Sequence, residues 1–268
     1  MKPKDIININ GLEINISEQC NLRCKGCDHG MDVITPQNIP LPSLLQDIQK
    51  ASQYFRAKTL RIIGGEPLLH PKLSQIIQDF QAAHIADSIE LWTNGLLLGN
   101  VSKTNWELLD GVVISKYPNT SNTWDNEYLK AIADKYNVWI HVRDINTFSW
   151  SMYLKKNTMD TVRILHNSCR ESATCHTIRN GKFYKCVQSA FAKDRLLYYG
   201  IDLDDDGIEL HNSNNFFEKF KNHMWSNNPL NACYYCLGEF GAKFPHEQIL
   251  HKNNNIDDIS FDSHFIIP

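Results

Sequence analysis

Cys20, Cys24 and Cys27 stand in one short loop, Cys20-Asn-Leu-Arg-Cys24-Lys-Gly-Cys27, a C-x3-C-x2-C pattern. Thiolates are the usual ligands of iron–sulfur clusters, and each iron of a four-iron cubane needs one external ligand. Three cysteines hold three irons and leave the fourth open to chelate a small molecule. Zinc is the competing reading, but structural zinc pairs C-x2-C units and closes a four-ligand tetrahedron. No fourth ligand is obvious here; His29, two residues past Cys27, reads as a loop histidine. The other five cysteines are Cys169, Cys175, Cys186, Cys233 and Cys236, and none lies between the two groups. That distribution predicts two sites. Eight cysteines in a small secreted domain would suggest disulfides, whereas in 268 residues without an export signal metal or redox chemistry is the better reading.

Two further motifs follow the triplet. Gly64-Gly65-Glu66-Pro67 comes after one strand-like run and Thr93-Asn94-Gly95 after the next. Paired glycines let a ligand approach the main chain where any side chain would obstruct it. The triplet directly after a first strand, with Asn-Leu behind its first cysteine, and these two motifs in order at successive strand ends closely resemble the radical S-adenosylmethionine (SAM) superfamily. The match covers about the first 150 residues. The resemblance implies a SAM-binding [4Fe–4S] cluster on Cys20, Cys24 and Cys27, and SAM chelated at its open iron. It implies that Gly64, Gly65, Glu66 and Pro67 receive the amino group of SAM's methionine moiety and that Thr93 and Asn94 lie at the rim of the site. Ser115 and Arg143, near the ends of later strands, count with them as SAM-binding. The implied chemistry is reductive cleavage of SAM to a 5′-deoxyadenosyl radical, which abstracts a substrate hydrogen. A low-potential donor such as flavodoxin or ferredoxin would supply the electron.

The later cysteines extend the resemblance. Cys169, eleven residues, Gly181, four residues and Cys186, then Cys233-x2-Cys236, are similar to the opening of the SPASM and Twitch extensions of radical SAM enzymes. The shorter Twitch form fits, and implies a second, auxiliary [4Fe–4S] cluster fully ligated by Cys169, Cys186, Cys233 and Cys236. Cys175 lies outside this spacing. It reads either as a partly buried small residue or as an alternate ligand or catalytic hydrogen-atom donor. A zinc site is again the alternative for the extension. Asp202-x-Asp204-x-Asp206-Gly207 begins like an EF-hand loop, but its twelfth position is Ser213 rather than a bidentate carboxylate, so a solvated turn is expected.

These motifs need a scaffold that aligns strand ends. Residues 11 to about 168 alternate strand-like and helix-like runs, the pattern of a parallel α/β sheet or barrel. Strands are expected at Leu12–Ser17, Thr59–Ile63, Ser88–Trp92, Val112–Lys116, Val138–Arg143 and Val162–Leu165, the first beginning near residue 11. Leu44, Leu45, Ile48, Ala51 and Phe55 recur at helical spacing, as do Leu73, Ile76, Ile77, Phe80 and Ala83, and Leu129, Ile132, Ala133 and Tyr136. In the fifth strand Val138, Ile140 and Val142 share one face, and Trp139, His141 and Arg143 the other. If the aliphatic face packs on helices, the second face is either a ligand site or a set of mutually satisfied polar groups. Beyond Ser168, His176–Lys185 reads as a hairpin turning at Asn180-Gly181, with a helix near Phe216–Met224. The expected fold is α/β: a partial (β/α)6 TIM-like barrel over 1–168, with a small hairpin-and-helix cluster domain over 169–268.

Composition is that of a globular protein, with 42% apolar and 21% charged residues. A net charge of −3 offers no basic footprint for nucleic acid. No signal peptide or membrane-length apolar run is present, so cytoplasm is the expected compartment and no membrane partner is expected.

A fully ligated second cluster suits an electron relay in a net two-electron oxidation, and size and spacing resemble Twitch-type aminocyclitol dehydrogenases of butirosin biosynthesis. The expected substrate is therefore a small polar metabolite, oxidised at an alcohol carbon in a sugar or aminocyclitol, with Arg143, His141 and Trp139 lining its pocket and Arg143, like Cys175, a candidate catalytic residue. Epimerisation or peptide modification, with Cys175 as hydrogen donor, is the runner-up; the early first strand leaves no room for a recognition domain ahead of the barrel. The molybdenum-cofactor cyclases are another Twitch-like family, but they end in Gly-Gly where this chain ends Phe265-Ile-Ile-Pro268. A non-catalytic iron–sulfur or zinc binding protein is the alternative of another class.

Overall fold

The computed structural model describes residues 6–211 and 215–249, which leaves Ser213 and the Phe265–Pro268 terminus outside the described residues. The chain divides into two compact units. One combines the chain through Asn21 with Gln37–Ile145; the other combines Leu22–Pro36 with the chain from Asn146 onward.

The first unit is a parallel sheet of β1 (Ile7–Ser17), β2 (Phe55–Gly64), β3 (Ala86–Thr93), β4 (Gly111–Lys116) and β5 (Trp139–Asp144), in the order β5-β4-β3-β2-β1. Helices α1 (Leu41–Ala51), α2 (Leu73–Ala82), α3 (Lys103–Leu108) and α4 (Asn126–Tyr136) fill the crossovers. Register assigns the two faces. Gly11, Glu13 and Asn15 stand opposite Thr59, Arg61 and Ile63; Arg61 stands opposite Glu90, and Ser115 opposite Arg143. The intervening residues Leu12, Ile14, Ile16, Leu60, Ile62, Leu91, Val112 and Ile114 are all buried. So are Leu44, Ile48, Ile76, Ile77 and Phe80 of the helices. Each such burial stabilises the fold by about 1.5–3 kcal/mol against an exposed side chain, and it leaves the opposite, polar face of the sheet for other work. Ser102 and Asp125 cap α3 and α4 through side-chain oxygens, as residues of these types do.

This is the expected α/β class and partial-barrel order, with two differences. β1 begins at Ile7 rather than near residue 11, in register with Phe55. Val162–Leu165 is not a sixth strand: it lies within α5 (Met159–Ser168), where Thr158 caps the first turn and Val162 and Leu165, three apart, are the buried pair. A four-residue apolar run cannot distinguish the two periods; the cap and the i, i+3 burial decide for helix.

In the second unit β6 (Thr147–Ser149) pairs with β10 (Lys243–Pro245), and β7 (Thr177–Arg179) and β8 (Lys182–Tyr184) form the expected hairpin, with β9 (Ile208–Glu209) beside β8. Asn180 and Gly181 take φ of +50° and +74°, as a two-residue turn between twisted strands requires. Helices α6 (Glu171–Thr174), α7 (Val187–Tyr198) and α8 (Phe216–Trp225) complete it. Among the described residues no helix is long and apolar enough to cross a membrane.

The aspartate loop at 202–206 is in part the expected solvated turn, with Asp202 and Asp204 exposed, but Asp205 and Asp206 have partners. Asp206 accepts the Asn231 and Ala232 N–H groups, both at 2.8 Å, and Asp205 pairs with Lys182 at 2.8 Å. Burial alone would raise the Asp205 carboxyl, but Lys182, the Gly207 N–H and the Tyr184 hydroxyl outweigh it and hold the group below the usual carboxylate range. A depressed folded pKa contributes stability that is present above the unfolded value of about 3.9 and lost as pH falls through the folded one. Asp205→Asn is therefore expected to lower stability near neutrality by about 0.5–1 kcal/mol, since the pair is partly solvated. Thermal melts at stepped pH should show the gap from wild type closing below about pH 4; a gap independent of pH contradicts this.

Candidate iron–sulfur and SAM site

At the carboxyl ends of β1, β2 and β3, Cys20 meets the Gly64-Gly65-Glu66-Pro67 and Thr93-Asn94 motifs. The main chain after β2 is tied back to β1: Gly65 N–H donates to the Ser17 carbonyl and Glu66 N–H to the Gln19 carbonyl, each at 2.7 Å. A Cβ on Gly64 would run into the Ser17 carbonyl oxygen, so the first glycine of the pair is needed for close approach of the two strands. Glu66 is fully buried. Its Oε1 accepts the Leu68 N–H at 2.9 Å and the Thr93 hydroxyl at 2.7 Å, and its Oε2 accepts the Asn94 N–H at 2.8 Å. Burial pushes its carboxyl up, against the opposing pull of these three donors. A carboxylate has about four acceptor positions, so the one remaining is on Oε2.

Asn94 extends this bracket to the cysteine loop. Its amide donates to Asn21 Oδ1 at 2.6 Å and reaches Cys20 Sγ at 3.9 Å. Glu66, Thr93, Asn94 and Cys20, drawn from separate points in the sequence, are thus one hydrogen-bonded group in the first unit. Cys24 and Cys27 belong to the second unit, where Cys24 is buried and the Cys27 N–H donates to the Cys24 carbonyl at 3.3 Å. Burial pushes the Cys27 thiol up to about 12, with the Asp32 carboxylate adding to the shift. Such a thiol becomes a thiolate only beside a strong cation, and a coordinated metal deprotonates it outright. Cysteine sulfur is the usual donor to iron–sulfur clusters, so the residue types fit such a group.

The polar face of the sheet carries a chain of contacts. Arg61 bonds Glu13 at 3.3 Å, and the Arg61 and Arg143 guanidiniums lie 5.2 Å and 5.3 Å from the Trp92 ring centre. Trp92 Nε1–H donates to Glu90 at 3.0 Å. Trp139, His141 and Arg143 lie on this face and are exposed, and Ser115 is on it opposite Arg143. Asn15 lies there too; it is 2% exposed, and neither polar atom of its side chain has a partner among the described residues. Sequence reasoning passed over Asn15, Glu13, Arg61 and Trp92. The alternation Leu12-Glu-Ile-Asn-Ile-Ser17 carries the signal, with every second residue polar on an otherwise aliphatic strand.

The later cysteines gather in the second unit. Cys186 is raised to about 12 and Cys233 to about 11, both first by burial; Cys186 also feels Cys233 and Cys169, and Cys233 feels Asp206 and Cys169. Cys236 is raised far above an ordinary thiol by burial and then by Cys186 and Cys233. Asp206 fixes the turn that carries Cys233-x2-Cys236, and the Gly238 N–H donates to Cys236 Sγ at 3.2 Å. Cys175 follows α6 with its sulfur 3.5 Å from the Thr174 hydroxyl. Among the described residues no three His, Cys, Asp or Glu groups are close enough to share a single ion. A cubane spreads its ligands over four irons and so accepts a wider set than zinc does.

The probable GTP 3′,8-cyclase of Methanocaldococcus jannaschii is 38% identical over 109 residues, covering 38% of this chain and 34% of that protein. The GTP 3′,8-cyclase of Microcystis aeruginosa is 30% identical over 103 residues, covering 37% and 31%. The matches thus span about a third of these relatives' length. Among solved structures, BtrN in complex with AdoMet and 2-DOIA superposes with a TM-score of 0.52 at 11% identity, over 88% of this chain and 96% of that one. Hexahistidine-tagged anSMEcpe with bound AdoMet gives 0.51 at 14% identity, over 86% and 83%. These likenesses bear on the fold. The family model described as the radical SAM superfamily matches residues 14–178, more than half of the chain, and spans the triplet, the glycine pair and Thr93-Asn94 alike. This chain belongs to the radical SAM superfamily.

Proposed function

We propose that this chain is a radical SAM oxidoreductase that removes a hydrogen atom from an alcohol carbon of a small polar metabolite of the sugar or aminocyclitol kind. Cys20, Cys24 and Cys27 would hold the cluster that binds SAM, with Gly64, Gly65, Glu66, Pro67, Thr93, Asn94, Ser115 and Arg143 around the SAM. Bound there, the cluster and SAM supply an oxidant strong enough to take hydrogen from an unactivated C–H bond. The observation that carries the oxidative reading is the set Cys169, Cys186, Cys233 and Cys236, four cysteines of one unit, with Cys233 and Cys236 joined in a single turn by a main-chain bond of 3.4 Å. Four thiolates satisfy a cubane completely, which leaves electron transfer rather than chelation as the use of such a group. Removing one hydrogen atom from a carbinol and one proton from its oxygen leaves one electron to be taken up. This is the Twitch-type arrangement, in the second unit.

The chain's own residues would select and hold the substrate. Asn15 offers a buried, unpartnered amide, donor and acceptor together, on the polar face of the sheet. Arg143 and His141 on the same face can bind hydroxyl groups, and His141 is a general base by type. A second reading rests on the names of the relatives, GTP 3′,8-cyclase: Arg61 and Arg143, both at the Trp92 ring, present guanidinium forks suited to phosphate oxygens. A redox-neutral cyclisation of a purine nucleotide is the function that reading gives.

Reduced protein incubated anaerobically with SAM and polyols deuterated at their carbinol carbons distinguishes them. The expected result is deuterium in 5′-deoxyadenosine and a ketone two hydrogens lighter than the substrate. Hydrogen transfer from GTP alone, with a product of unchanged mass, would replace the oxidative reading by the second.

A further inference from the structure

A distant segment crosses the loop that carries Cys24. The Lys25 N–H donates to the Glu247 carbonyl at 2.9 Å, and the Ile249 N–H to the Arg23 carbonyl at 2.8 Å. Cys24 and Gln248 form an antiparallel bridge between these two bonds. The Lys25 ammonium adds an ion pair to the Glu247 carboxylate at 3.1 Å. This strap presents one side chain to the cysteine. His246, 8% exposed, has its Nε2 3.1 Å from Cys24 Sγ. The residue is held at its main chain, where the His246 backbone N–H donates to the Asn146 carbonyl at 2.9 Å, and at its ring, which the Phe148 ring meets edge-on at 5.1 Å. β10, immediately before it, is paired to β6.

A cysteine that ligates iron is a thiolate with no proton to give. The contact then requires an Nε2–H on the imidazole, the tautomer that leaves Nδ1 unprotonated. Hydrogen bonds to cluster sulfurs favour the more negative, reduced form and so set the reduction potential. We infer that His246 is a positioning residue of the cluster at the N-terminal loop: it donates from Nε2 to Cys24 Sγ and holds the cluster's potential above the value the cysteines alone would give. The inference rests on the reading of Cys24 as a cluster ligand.

The test compares the anaerobically loaded full chain as wild type, His246→Leu and His246→Gln. The potential is taken from a redox titration that follows the reduced-cluster EPR signal that changes on addition of SAM. At unchanged iron content, His246→Leu is expected to shift the potential to more negative values. His246→Gln, which keeps an N–H donor of similar reach, is expected to restore it wholly or in part. No shift in the leucine variant, or equal shifts in both, overturns the inference. Should the leucine variant fail to load, the glutamine variant decides: wild-type iron and potential support the role, and failure to load overturns it. Cys24→Ala separates the two levels of the argument. If it retains the SAM-responsive signal, the ligand reading has failed and the inference falls with it; if it loses the signal, the two histidine variants alone decide.

Discussion

A chain carrying Cys20→Ala, Cys24→Ala and Cys27→Ala together is expected to form no 5′-deoxyadenosine from SAM under reducing, anaerobic conditions. These three thiols are the ligands proposed for the cluster that binds SAM, and alanine at all three positions removes every one of them. The scaffold is expected to survive. Gly65 and Glu66 are tied by main-chain bonds to Ser17 and Gln19, and the Glu66 carboxylate holds Leu68, Thr93 and Asn94, none of which uses the cysteine sulfurs. Each small-residue truncation costs at most the usual 0.5–3 kcal/mol or so of a point substitution. Circular dichroism should therefore stay close to wild type while SAM turnover vanishes. Residual SAM cleavage in the triple variant would remove the basis for the proposed chemistry.

The second large effect is a loss of coupling. With Cys186→Ala and Cys233→Ala in place, SAM cleavage is expected to continue at a rate of the same order, while oxidised product per SAM consumed falls to background. Both cysteines belong to the second unit, and the Glu66–Thr93–Asn94 group belongs to the first. Cys186 is buried at the start of α7, and Cys233 sits in the turn capped by Asp206. Removing them takes two of four ligands from the proposed auxiliary cluster without touching a residue implicated in SAM binding. Product counted by mass spectrometry against 5′-deoxyadenosine gives the ratio directly. A ratio unchanged from wild type would show that the C-terminal cysteines take no part in the redox balance.

Much of the fold is legible in the chain itself. Strands β1 to β5 announce themselves as aliphatic runs, and the aliphatic and polar faces of β5 follow from alternation alone. Val162–Leu165 misleads because four apolar residues carry too few turns to fix a period, and the deciding Thr158 cap lies four residues before them. The triplet, the glycine pair and Thr93-Asn94 are legible as motifs, but the bond network that joins them is not. Glu66 is a bracket for the Asn94 and Leu68 N–H groups, a role visible only when β2 and β3 lie side by side. Contacts between distant positions are beyond sequence reasoning altogether. Nothing in the spacing brings His246 to Cys24, 222 residues away, or Asp206 to the turn before Cys233. Such pairs are set by tertiary packing, which leaves no periodic trace along the chain.

The measurement that tests the central claim most directly is iron, acid-labile sulfide and zinc per chain after anaerobic purification, in wild type and in the Cys20/Cys24/Cys27 alanine variant. Two independent cubanes predict about eight irons in the wild type, about four in the variant, and no zinc in either. About four irons in the wild type and none in the variant would contradict the second cluster and, with it, the oxidative reaction.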